Sequence, residues 1–180
     1  YPRCIHELES AQQVDEAWIG VTQGGASWLP PVFASNRQLA ICRLRVDGSY
    51  FVFLSEDMRS DPELALIAVR TWEYTLQHTS EQLLSNVDFM VSAVGKNRWA
   101  LDYASDEMKN NKRVVLAAIA KHPMALGYAS LEMRNIKEVV LAAIAKDPDA
   151  LQYASQEMRT REMILLAMNV SWENIGLMPS

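Results

Sequence analysis

The sequence predicts an all-α protein, an α-solenoid of about seven 25-residue helical hairpins whose N-terminal units are degenerate. Three observations lead there. The phrase Ala100-Leu-Asp-Tyr-Ala-Ser-Asp-Glu-Met108 is written again from Ala125 to Met133 and begins a third time at Ala150, so the period is 25 residues. Between the copies, Val114-Val-Leu-Ala-Ala-Ile-Ala120 and Val139-Val-Leu-Ala-Ala-Ile-Ala145 are identical. Stepping back by 25 from Thr160 reaches Asn135, Asn110, Ser85, Ser60, Ser35 and Ser10, all residues that cap helix N-termini.

Each predicted hairpin opens on a first helix in which Leu101, Ala104, Ser105 and Met108 recur at i, i+3, i+4 and i+7, one helical face. The same face reads Leu126, Ala129, Ser130, Met133 and Leu151, Ala154, Ser155, Met158. Serine at 55, 80, 105, 130 and 155 is expected to allow close packing, its hydroxyl bonded one turn back. The second helix starts at the caps. Gln13, Gln38, Glu63, Asp88 and Glu138 stand three residues past them, as a capping box requires, and Pro62 suits a first turn. Its body is apolar at Leu39, Leu64, Phe89, Val114, Val139 and Ile164, and again two residues on, which predicts a helix covered on several sides. Lys121-His-Pro123 and Lys146-Asp-Pro148 end it with a cation and a proline.

One domain covers 1–180, with degenerate units over 1–49, regular repeats over 50–174 and a C-terminal cap at 175–180. Gly24-Gly25 and Pro30-Pro31 break the second unit, and Arg43 and Arg45 replace alanines of the central units. Solenoid ends are atypical because one side faces water, so the N-terminal part is expected to cap the stack, with partner docking as the alternative.

Written out as A-L-x-Y-A-S-x-E-M-[KR]-N-x-K-x-V-V-L-A-A, the unit resembles the repeat family catalogued as domain of unknown function forty-one-sixteen. The likeness is close from Leu101 to Ala167, recognisable from Tyr50 to Trp99 and faint before Ser35. It implies a tandem helical array of the kind found in bacterial and protist proteins. The family brings no established activity and no catalytic residues.

Composition narrows function. The net charge is −5, with 8 basic and 12 acidic residues up to Trp99 and 9 and 10 after it, so neither part has the excess that phosphate binding needs. The longest aliphatic run is seven residues, against the ~20 of a bilayer span. A soluble chain is expected, with peripheral association with a membrane complex left open. Cys4 and Cys42 form no metal or redox spacing, and His6, His78 and His122 occupy different unit positions, so no metal and no cofactor is expected. The start at Tyr1 in place of Met, without a signal or transit segment, makes a processed chain, organelle-imported or secreted, one expectation and leaves the compartment open.

No nucleophile elbow, phosphate loop or carboxylate pair is present, so the expected function is a non-catalytic protein–protein interaction scaffold, as a structural subunit of a larger assembly. The alternative is a helical-repeat nucleic-acid reader, against which the charge weighs. The candidate protein-binding surface follows from helical geometry. At 100° per residue Tyr103 points roughly 160° from the core face, with Glu107 one turn on. Phe53, His78, Tyr128 and Tyr153 are its counterparts, and Glu132 and Glu157 those of the acid, which predicts one aromatic and acidic stripe. The competing expectation is that each ring folds sideways over its neighbour and fills a groove. Lys109, Arg134 and Arg159 form a basic ladder that is read as a solvated face.

Overall fold

The computed structural model describes residues 36–175, and of 172–175 only the helical backbone. The predicted caps Ser10 and Ser35, the broken segment around Gly24 and Pro30, Cys4, His6 and residues 176–180 of the C-terminal cap expected at 175–180 lie outside the described residues. The described residues fall into two compact units, the first ending at Leu83 and the second beginning at Leu84. Every regular element is helical, and no strand occurs among the described residues.

Each 25-residue period contains three short segments in place of the predicted two helices. A longer helix comes first: Arg37–Leu44 and Pro62–Ala68 in the first unit, then Val87–Val94, Lys112–Lys121, Lys137–Ile144 and Arg161–Ile175 in the second. A six-residue 3-10 helix follows at Gly48–Phe53, Glu73–His78, Pro123–Tyr128 and Pro148–Tyr153, with simple turns at 98–103. A single α-turn closes the period at Glu56–Arg59, Glu81–Leu84, Asp106–Lys109 and Leu131–Arg134.

The predicted first helix is therefore split at its Ala-Ser pair. Ala129 (φ −71°, ψ 159°) and Ser130 (φ −59°, ψ 159°) are extended. Serine is what splits it. Its Oγ accepts from the amide of the methionine three residues on at Met58, Met108, Met133 and Met158, so it caps the α-turn ahead of it and does not bond one turn back. Ser80 is the exception, its Oγ buried without a partner.

The caps of the longer helices fall one residue later than predicted. Asn36, Asp61, Asn86 and Asn111 accept from the amides two or three residues on, and the last three do so in place of Ser60, Ser85 and Asn110. Ile136, not Asn135, holds the cap position of Lys137–Ile144 and supplies no side-chain bond. Thr160 does bond to the amide of Met163. The shift puts Gln38, Glu63, Asp88 and Glu138 two residues past the cap, and Pro62 at the first helical position.

Counted from the cap, positions 3, 4, 7 and 8 form the buried stripe of every longer helix but the last, where Met163 and Ala167 are buried and Ile164 and Met168 exposed. In the three helices before it they are Phe89, Met90, Ala93 and Val94, then Val114, Val115, Ala118 and Ile119, then Val139, Val140, Ala143 and Ile144. In the first unit the stripe of Arg37–Leu44 includes Arg43, whose guanidinium lies 3.7 Å over the Tyr50 ring and bonds its hydroxyl. Phe51 and Leu76 there, and Leu101 and Leu126 in the second unit, anchor the middle segment at 0% exposure. Truncating such a leucine to Ala costs about 2–5 kcal/mol.

Successive repeats of the second unit are also joined by a polar clamp that occurs twice. The Ser130 amide donates to the Lys109 carbonyl (3.0 Å), its Oγ to Asn110 Oδ1 (2.6 Å), and Asn110 Nδ2 to Glu132 (2.6 Å). Twenty-five residues on, Ser155 donates to the Arg134 carbonyl (3.0 Å) and to Asn135 (2.6 Å), and Asn135 to Glu157 (2.8 Å).

Candidate interaction groove

The predicted stripe does not form as a single helical face. A 3-10 helix turns 120° per residue, so residues three apart eclipse and Tyr128 and Tyr153 lie over Ala125 and Ala150, which are 2% and 0% exposed. Tyr128 and Tyr153 are half-buried as a result, and Tyr103, in the turns at 98–103, is half-buried too. In the second unit the Tyr153 ring folds sideways. A Cβ on Gly127 would meet Tyr153 Cδ1 at 2.8 Å, so the ring lies against glycine backbone one repeat away, an approach that any larger residue would block. In the first unit, Phe53 is 40% exposed and tilted 6.1 Å from Tyr50, and His78 stacks on Trp72 at 5.4 Å.

The acids separate from the rings as well. Glu132 and Glu157 are held in the clamps, and Glu107 is exposed. Nor is the basic ladder a free face. Arg159 donates to the carbonyls of Ala154 (3.1 Å) and Gln152 (2.7 Å), and Arg134 buries its Nε.

Tyr128 and Tyr153 instead line a groove of about 430 Å³ in the second unit, together with Trp99, Arg98, His122 and Met124. Local folding places each wall. Asn97 Oδ1 accepts from the Trp99 amide (2.8 Å) and fixes the turn that presents the indole. The indole meets Tyr128 edge-on at 5.8 Å, and the Arg98 guanidinium lies 4.6 Å over it. On the far wall Lys112–Lys121 ends at Lys121, and Pro123 starts the next segment, which leaves His122 at the rim.

Two titrations register this environment. Partial burial, then the charges of Arg98 and Lys121, hold His122 below the ordinary imidazole value of 6.5. Partial burial, then the Asp102 carboxylate, pushes the Tyr128 phenol above 10.0.

Trp99, Arg98, Lys121, His122 and Met124 are absent from the sequence-derived candidates. A signal did exist. The unit position of Trp99 reads Ser49, Tyr74, Trp99, Met124, Asp149, a wide chemical range in an otherwise repetitive segment. Among the described residues, no group of three His, Cys, Asp or Glu residues could hold a metal, and no helix is long and apolar enough to cross a membrane.

A recurring three-segment helical unit with a groove between consecutive copies defines a tandem helical-repeat protein. The chain belongs to the family described as Domain of unknown function (DUF4116), whose model matches it three times, over residues 36–84, 86–134 and 136–180. Each match begins at the cap position of a longer helix, Asn36, Asn86 or Ile136, so one family module spans two 25-residue periods. Neither a search of curated proteins nor one of solved structures finds a match.

Proposed function

We propose that the chain is a non-catalytic interaction scaffold, a structural subunit that holds a protein partner in the groove between its repeats. The observation that carries this reading is the half-open aromatic cluster of Trp99, Tyr128 and Tyr153, in a cavity of about 430 Å³. Large, rigid rings with partial exposure supply contact area at low entropic cost and are enriched where interfaces concentrate binding energy. Repeat proteins bind through surfaces of this kind.

The chemistry around the groove supports binding over catalysis. The polar residues that recur in register already have structural roles: asparagine and serine cap helices, and the Asn-Ser-Glu sets join repeats. His122 has arginine and lysine for electrostatic neighbours, which disfavour its protonated form and offer no carboxylate to orient it as a base.

Replacing Tyr103, Tyr128 and Tyr153 together by Ser separates an interface from a packing role. As an interface the groove loses its partner, recovered from the native source, at temperatures where circular dichroism shows the variant still folded, although its melting temperature falls with the loss of the Tyr153 contact to Gly127 and the Tyr128 contact to Trp99. A large loss of stability with partner affinity intact assigns the tyrosines to packing alone and defeats the proposal.

A further inference from the structure

We infer that the occupant of the groove is an acidic peptide segment of a partner protein, with an apolar side chain against Trp99, Tyr128 and Tyr153 and carboxylates toward Arg98, Lys121 and His122. This rests on the scaffold reading and adds the partner's chemistry to it.

Charge carries the first part of the argument. Some cations of the described repeats are committed to ion pairs within the fold: Arg37 with Asp61 and Glu63, Lys112 with Glu138, Arg113 with Asp88, Lys137 with Glu162. Arg98 and Lys121 are both exposed at the groove, and among the described residues neither makes an ion pair. Arg98 is held over the indole, with its guanidinium fixed beside the apolar floor, an arrangement suited to a carboxylate on a ligand already seated there.

The unit position of His122 supplies the second part. Its counterparts Asp47, Asn97 and Asp147 each use a side-chain oxygen to cap the following segment, accepting from Ser49, Trp99 and Asp149, while Trp72 in the first unit makes no such bond. His122 makes no such bond. At the repeat that borders the groove, an acceptor is thus replaced by a ring that gains a proton when an anion comes near. Asp102 lies near the Tyr128 phenol. It repels carboxylates from that end, so the apolar side chain takes the tyrosine end and the acidic residues take the Arg98, Lys121 and His122 wall.

A peptide fits better than a nucleic acid. A single strand needs a row of cations that tracks its phosphates, whereas this groove has two permanent ones. From Leu84 onward the chain holds 11 basic and 11 acidic residues, and the whole chain is at −5, so no wider positive field surrounds the groove.

The test is selection of a displayed random-peptide library on the intact protein, followed by affinity measurements on the full chain, on Arg98→Glu/Lys121→Glu and on Met124→Glu. Circular dichroism checks that both variants fold. Selected peptides are expected to carry two or more Asp or Glu beside a Leu or aromatic residue. Binding should weaken about tenfold or more with the double charge reversal and fall with added salt. Peptides without acidic bias that Met124→Glu still abolishes would overturn the acidic assignment and leave the scaffold reading standing. Failure of any peptide to depend on either variant would overturn both. Oligothymidylate that displaces the peptides and loses affinity with the charge reversal would assign the groove to nucleic acid and overturn the inference.

Discussion

Replacing Asn111 by Ala removes an acceptor from the start of Lys112–Lys121, where Oδ1 takes the amides of Arg113 (3.0 Å) and Val114 (3.3 Å). Val114 is fully buried, so its amide has little access to water once the acceptor is gone. Loss of such a cap costs about 1 kcal/mol, within a range of about 0.5–2. In a chain of this size that lowers the melting temperature by about 2–4 °C. Asn110→Ala, one residue earlier, is the internal control. It breaks only the exposed bonds to Ser130 and Glu132, which water can replace, and should cost about half as much or less. Urea and thermal unfolding of both variants, followed by circular dichroism, give the comparison. Equal losses, or a greater loss for Asn110→Ala, would refute the assignment of caps and clamps.

Ile136→Asn restores the side-chain cap missing from Lys137–Ile144 and should raise stability by up to about 1 kcal/mol, less the burial lost from a half-buried isoleucine; urea midpoints check it. Leu126→Ala should cost about 2–5 kcal/mol, and Leu151→Ala clearly less because Leu151 is only half-buried, as paired unfolding curves will show. His122 has a lowered folded-state value, so the unfolded chain binds its proton more readily. Its neutral form is free of penalty above pH 6.5, and stability is lost as pH falls below that value. A His122→Gln variant should lose less stability than the parent between pH 7 and 5, and an NMR titration should place the imidazole below 6.5. Asp61 is the carboxylate case. Burial alone would raise it, but Arg37 and the amides of Glu63 and Leu64 together hold it below 3.8, so its contribution is present above 3.8 and lost as pH falls through the folded value. Asp61→Ala should flatten the acid limb of the stability curve measured by denaturant titration.

The period, the helical class and the family pattern could be read from the sequence because identical phrases 25 residues apart admit one register. Boundaries inside the period could not. Serine followed by acids fits the middle of an exposed helical face and the cap of a new turn alike, and only the extended backbone at Ala129 and Ser130 decides between them. Caps were misplaced by one residue because two cap-forming residues stand side by side, Asn110 before Asn111 and Ser60 before Asp61, and either can accept an amide. That error had a consequence for the site. A continuous 100° helix turns Tyr128 outward, whereas the 3-10 segment lays it over Ala125 and brings it to Trp99. Of the predicted surface, Tyr128 and Tyr153 line the groove, Phe53 and His78 belong to the first unit, and Glu132 and Glu157 hold repeats together. Arg98 and His122 escape a reading based on recurrence because each occurs once, at a position where the repeats differ.

Placing a photo-crosslinking phenylalanine analogue at Met124, on the groove wall, and separately at Val46, exposed in the first unit, tests directly whether the groove is where a partner binds. With the full chain in its native source, the Met124 position should yield one dominant protein adduct that an acidic, aromatic-bearing peptide competes away, and Val46 should not. Adducts that form at Val46 and not at Met124, or that ignore the competing peptide, would contradict an interface in the groove.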